Sequence, residues 1–213
     1  MLSAGFAARP FFANMEADRT PAHTDENSRD ILLMERIAAG DHHAFRELVL
    51  RHQNAIVGTV AKMLGNASEA EDIAQQVFLR IWRHAKRYRP EAKFTTYLFT
   101  ITRNLVFNES RRKKRRNEVS SDEREENSNA SVPADPNKQP DAEILQQELR
   151  NAVDKAIAGL PEPQRMAVIL RRYEQMPYEE IAKVLELSVS AVKSLLFRAR
   201  TTLRDSLSSY LES

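Results

Sequence analysis

Apolar positions recur at three- and four-residue intervals over most of the chain, with short polar breaks between the runs. Ile31, Leu32, Met34, Ile37 and Ala38 form one face of a helix, and Gly40 can stop it in the left-handed conformation. Asp41 is placed to cap a second helix carrying Phe45, Leu48, Val49, Ile56, Val60 and Leu64. Gly65-Asn66 breaks that helix. Ser68 and Glu71 then read as a capping box, opening a third helix that runs through Trp82 to about residue 87. Pro90 and its neighbours make a loop. A fourth helix starts near Thr95 and runs into six consecutive basic residues, 111–116. Helices of these lengths predict a compact all-α domain over residues 28–117.

The period then vanishes. Residues 118–141 are polar, acidic and proline-bearing, which predicts a flexible linker. It returns with Ile144, Leu145, Leu149, Val153 and Ile157, is interrupted by Gly159 and Pro161, and continues through Met166, Val168, Ile169 and Leu170. A second helical domain is expected over 142–211. It contains two short apolar-periodic segments at 178–200. Ile181, Ala182 and Leu185 give the first an inward face, and Ser188 can cap the second. On that second helix Val192, Leu195, Leu196, Ala199 and Leu203 turn inward, while Ser190, Lys193, Ser194, Phe197, Arg198 and Arg200 fall mostly elsewhere. A helix-turn-helix has this pattern, with its second helix in the major groove. Spacing alone also fits an ordinary αα-hairpin with a solvated basic face.

Composition narrows the class. Hydrophobic content of 42% supports a core, and the five glycines and 7% aromatics favour helices over sheets. There is no Cys, which excludes disulfides and Cys-based zinc sites. The net charge of +2 means that any nucleic-acid signal must lie in local segregation of charge. No apolar run approaches the roughly 18 residues a membrane span needs. Residues 1–27 read as a disordered tail, with Met15 as an alternative start. His23, His42, His43, His52 and His84 lack metal-ligand spacing and read as surface residues. No nucleotide-binding, hydrolase or metalloprotease motif is present, so no catalytic site, metal or cofactor is expected.

Four stretches taken in order carry a resemblance. They are GDHHAFRELVLRH, AEDIAQQVFLRIWRHAKRY, FTTYLFTITRNLVFNESRRKKRR and LPEPQRMAVILRRYEQMPYEEIAKVLELSVSAVKSLLFRAR. The chain resembles bacterial RNA polymerase sigma factors of the extracytoplasmic-function (ECF) group over about residues 30–210. The resemblance implies two small helical domains, domain 2 and domain 4, and a cytoplasmic protein without catalysis or a small-molecule substrate. It would bind core RNA polymerase, promoter DNA and an anti-sigma factor.

It also implies sites. Asp72, Gln75 and Gln76 would dock the polymerase, facing away from Ile73, Val77 and Trp82. Phe94 and Tyr97 would meet bases of the minus-ten element during melting, with Phe99 in the core. Asn104 and Asn108 would contact base edges or backbone, and Arg111, Arg112, Lys113, Lys114, Arg115 and Arg116 would neutralise phosphates. Ser190, Lys193, Ser194, Phe197, Arg198 and Arg200 would read the minus-thirty-five element. The acids Asp122, Glu123, Glu125 and Glu126 would thread the polymerase's RNA path; the other reading is a solvated spacer whose charge serves only solubility.

Several positions depart from the family pattern. Tyr97 stands where Trp is common and Leu195 where Arg is frequent. Glu186 stands where Gly often makes the turn, and Pro177 where Ser often caps a helix. The other readings are an autonomous helix-turn-helix regulator and a helical interaction protein without DNA contact.

Overall fold

Asp41 opens the second helix as its pattern predicts. The side chain accepts hydrogen bonds from the backbone N–H groups of His43 (2.8 Å) and Ala44 (3.1 Å). Those bonds, with the Arg36 guanidinium 2.7 Å away, hold its carboxyl below the usual carboxylate range. Such local punctuation sets the element order in the computed structural model, which describes residues 24–119 and 140–208. The helices are α1 (Thr24–Ala38), α2 (His42–Leu64), α3 (Ala67–His84), α4 (Phe94–Val119), α5 (Pro140–Ala158), α6 (Glu162–Arg172), α7 (Tyr178–Leu185) and α8 (Val189–Ser206). A 3₁₀ turn, Ala85–Arg87, extends α3. The described residues contain no strand.

Gly40 and Gly65 take positive φ, 92° and 70°, at the ends of α1 and α2. The start of α3 differs from the expected capping box. Asn66, not Ser68, is the cap: its Oδ1 accepts from Ser68 N–H (3.0 Å) and Glu69 N–H (3.4 Å). It comes first after the left-handed glycine, is extended, and so captures the first free amides. The predicted tail also yields a structured part. Helix α1 begins at Thr24, and Asn27 Oδ1 accepts the Phe94 N–H at 2.8 Å, tying α1 to the start of α4.

The first four helices bury Met34, Leu48, Ile56, Met63, Ile81, Phe94 and Leu98, and the last four bury Ile157, Leu160, Met166, Ile169, Val192 and Leu203. At about 1.5–3 kcal/mol per large apolar side chain, either set is a substantial core. Asp30 is buried against the Arg51 guanidinium (2.9 Å) and His52 Nε2 (2.9 Å). His52 is therefore a core-edge residue rather than a surface one.

The two helical groups dock on one another. Helix α4 packs against α7, and α2 packs against α5 and α6. Arg165 donates to the Met63 carbonyl at 2.7 Å, and Lys62 lies 3.4 Å from Asp154 and 4.5 Å above the Tyr173 ring. Thr59 donates to Glu174 at 3.2 Å. The linker acids Asp122, Glu123, Glu125 and Glu126 lie outside the described residues.

Candidate nucleic-acid interface

One polar stripe runs along helix α4. Tyr97, Asn104, Asn108, Arg111 and Arg115 are spaced seven, four, three and four residues apart, which stacks them on one side of a helix. Asn104, Asn108, Arg111 and Arg115 are exposed. The basic run is not uniform. Arg112 pairs with Glu109 (2.8 Å), Arg116 lies 3.9 Å from the same carboxylate, and Lys113 reaches back to Glu69 on α3 (2.5 Å). Arg111, Lys114 and Arg115 make no ion pair among the described residues and are the cations best placed for an external phosphate.

The two aromatics assigned to base contact separate. Phe94 is completely buried. Its ring sits among His52 (centroids 5.2 Å apart), Tyr88 (6.2 Å) and Tyr97 (6.3 Å). The expectation that Phe94 presents a face to a base is corrected here: it is the first residue of α4, and its ring fills the space beneath α1 and α2. Tyr97 is half-buried, leans on Tyr88 at 5.1 Å, and keeps an accessible edge. Burial raises both hydroxyls, pushing Tyr88 up to about 12 with help from Tyr97 and Asp30. Tyr88 is the ring the sequence reading missed, because it precedes the helix and obeys no period. Phe99 is core, as expected.

At the other end, α7 and α8 form the expected helix-turn-helix. Glu186 closes α7 in the left-handed conformation (φ 57°, ψ 44°), and its N–H donates to the Ala182 and Lys183 carbonyls. Ser188 caps α8, accepting from Ala191 N–H at 3.2 Å. Ser190, Lys193, Ser194, Phe197 and Arg198 are exposed together on α8, with Phe197 66% exposed, and Arg200 is partly covered. A Phe so exposed can meet a thymine methyl. Leu195, where the pattern often has Arg, packs against the core instead. Tyr178 lines the same surface beside Lys193 and Arg198, a residue that sequence spacing did not single out.

A third surface lies between α2 and α3. Phe45, Val49, Val57, Phe78 and Leu79 line an open apolar groove of about 840 Å³, with Gln75 on its wall. Asp72, Gln75 and Gln76 are all exposed, and Leu79 continues their face at the i, i+3, i+4, i+7 spacing. Leu79 is 48% exposed. It was missed because a single apolar residue off the core stripe is unremarkable in sequence. Among the described residues no cluster could hold a metal ion, and no helix is long and apolar enough to cross a membrane.

Comparison with known proteins places the chain in a family. Residues 48–116 match the model for sigma-70 region 2 and residues 150–203 that for sigma-70 region 4. The RNA polymerase sigma-H factor of Pseudomonas aeruginosa is 33% identical over 184 residues, covering 84% of this chain and 94% of that protein. The ECF RNA polymerase sigma-E factor of Escherichia coli K12 is 33% identical over 178 residues, covering 82% and 92%. Among solved structures, RpoE of Bartonella quintana in complex with the anti-sigma factor NepR superposes with a TM-score of 0.63 at 24% identity, covering 77% of this chain and 96% of that one. CnrH in complex with the cytosolic domain of CnrY gives 0.62 at 24% identity, covering 85% and 98%. With both sigma-70 regions in order on helices whose exposed faces carry the expected polar groups, the chain belongs to the ECF sigma factors of bacterial RNA polymerase.

Proposed function

We propose that this ECF sigma factor divides its work among the three surfaces. The α2/α3 groove docks core RNA polymerase, with Gln75 on its wall, Asp72 and Gln76 beside it and Leu79 as the apolar anchor. The α4 stripe, from Tyr97 to Arg115, engages and holds open the minus-ten element. The exposed face of α8 reads the minus-thirty-five element through Ser190, Lys193, Ser194, Phe197 and Arg198, with Arg200 at its side. The protein supplies specificity and strand separation, not bond chemistry, and acts in the cytoplasm beside the polymerase and its template.

CnrH and the Bartonella RpoE were each solved with a partner, the latter an anti-sigma factor. A helical segment of such a partner, apolar on one face, fits the α2/α3 groove in competition with the polymerase. The observation that carries this reading is the α4 stripe: Asn104, Asn108, Arg111 and Arg115 follow one another along a single exposed face, and Arg111 and Arg115 make no ion pair among the described residues.

Run-off transcription with core enzyme on a cognate promoter tests it. Leu79→Glu puts a charge into the apolar groove and should abolish core binding in a titration while leaving helicity unchanged. Retained core affinity in that variant would remove the groove from the polymerase interface.

A further inference from the structure

Helix α7 does more than support the recognition helix. It lies against α4, and one carboxylate in its first turn and one at its C-cap hold a cation just before α4 and a cation on α4. Glu180 Oε1 is 2.7 Å from Lys93 Nζ, and Glu180 Oε2 accepts from the Thr96 hydroxyl at 3.4 Å. Glu186 accepts from the Arg103 guanidinium, and the Arg103 side chain is only 11% exposed in that contact.

Glu186 is the informative member. It occupies the left-handed position after α7, where glycine is free of strain and other residues cost roughly 1–3 kcal/mol. Two backbone hydrogen bonds from its N–H would form equally well with glycine there. Nothing local favours a glutamate; the one interaction that needs its side chain is the bridge to Arg103 across the domain boundary.

The docked arrangement cannot be the one that reads a promoter. The minus-ten and minus-thirty-five elements are named for positions about 25 base pairs apart, or ~85 Å of duplex at ~3.4 Å per step. An 18-residue helix such as α8 is about 27 Å long, and α7, to which it is joined, touches α4. The two domains must separate before both elements can be bound.

The polymerase groove is not affected by docking. The α2 residues that bond to the second domain, Thr59, Lys62 and Met63, are not among those that line the groove. The groove stays open while α4 is held.

We propose that Glu180 and Glu186 form a self-docking latch: they occupy Lys93 and Arg103 in the place of promoter phosphates and keep the two DNA-reading domains together until core polymerase binds at the open α2/α3 groove. Lys93 and Arg103 thereby join the promoter-contacting set. That second statement rests on the reading of α4 as a DNA helix; the latch itself does not.

The test uses the full chain, whose lack of cysteine allows clean placement of a label pair at the exposed Arg80 and Arg204. Distance distributions by pulsed dipolar spectroscopy should be short in the parent. They should lengthen in Glu180→Lys/Glu186→Lys and return to short when Lys93→Glu/Arg103→Glu is added. Glu186→Gly is the second variant: it relieves the left-handed strain, so it should fold at least as stably as the parent yet populate the longer distances. Unchanged distances in the reversed pair or in Glu186→Gly, or no rescue by the swap, would overturn the latch.

Binding of a fluorescent minus-ten fork DNA without polymerase is measured in parallel. It should rise a few-fold in Glu186→Gly, since the Glu186 side chain is 68% exposed and the bridge is worth about 1 kcal/mol or less. Long distances with no gain in DNA binding would overturn the assignment of Lys93 and Arg103 to phosphate and leave the latch standing.

Discussion

Replacing Phe94 separates two accounts of promoter opening. If Phe94 stacked on an extruded base, Phe94→Ala would leave the fold intact and slow melting. The structure says otherwise. Phe94 has no exposed surface, three aromatic neighbours within 6.3 Å, and its own N–H bonded to Asn27. Truncating a buried Phe to Ala costs about 3–5 kcal/mol. At ~2–4 °C per kcal/mol for a chain of this size, Tm should fall by roughly 6–20 °C. Phe94→Leu keeps most of the volume and should cost only about 1–1.5 kcal/mol. Tyr97→Ala, at a half-buried site, should cost about 1 kcal/mol.

Calorimetry gives the stabilities, and permanganate footprinting with core enzyme, on duplex and on premelted promoter, gives the opening. At a temperature where all three variants are folded, Phe94→Leu should open the duplex like the parent. Tyr97→Ala should open it poorly and recover on the premelted template. A folded Phe94→Leu that fails on duplex and works on the bubble would refute the assignment of Phe94 to the core alone.

Two further outcomes follow from charge. Arg111→Ala/Arg115→Ala should lower the slope of log affinity against log salt by ~1.8 for holoenzyme on a minus-ten fork, two phosphates at ~0.9 each. Arg112→Ala should change it by less than the ~0.9 expected of one phosphate contact, since Glu109 already holds that guanidinium, and a full ~0.9 would contradict the pairing. Glu174 lies at the domain boundary, where burial raises its carboxyl against the opposing influence of the Thr59 hydrogen bond and His52. An acid raised in the docked state favours docking when protonated, so docking should strengthen as pH falls from above the raised value towards the ordinary one. Glu174→Gln keeps an acceptor for Thr59 and should raise Tm at neutral pH while removing that part of the pH response; a lower Tm would refute the sign.

What the sequence disclosed was what local physics decides. Gly40, Gly65, Asp41 and Ser188 end or begin helices because one residue's φ or one side-chain oxygen satisfies groups a few residues away, and each was readable. The start of α3 was misplaced by two residues because Asn66 and Ser68 are both competent caps and both have a Glu three residues on. The candidate site was partly legible for a related reason. Exposed polar residues at helical spacing, such as Asn104, Asn108 and the α8 set, are visible as a face. Whether an aromatic at a helix start is buried depends on what covers it, and Phe94 is covered by α1 and α2, far away in sequence. His52 was misjudged in the same way: its partner Asp30 is 22 residues distant, on another helix.

The α4–α7 contact was the least legible feature, and the reason is specific. Glu179 and Glu180 lie in the first turn of α7, where acids favour the helix dipole, so a sequence reading has no need of a distant partner for them. The overall balance of 32 basic and 30 acidic residues likewise reads as ordinary solubility. Yet residues 28–117 carry 18 basic and 9 acidic residues and residues 142–211 carry 10 and 9, so docking sets a basic domain against a near-neutral one, and the pairing rests on where Glu180 and Glu186 stand. A sufficient local explanation hides a tertiary use. Glu186 is the exception, because its local explanation fails: a glutamate in left-handed geometry, at a turn where glycine costs nothing, needs something non-local to hold it there. The departure from the family's glycine was the one sign in the sequence that α7 has a second partner, and Arg103, 83 residues upstream, is that partner.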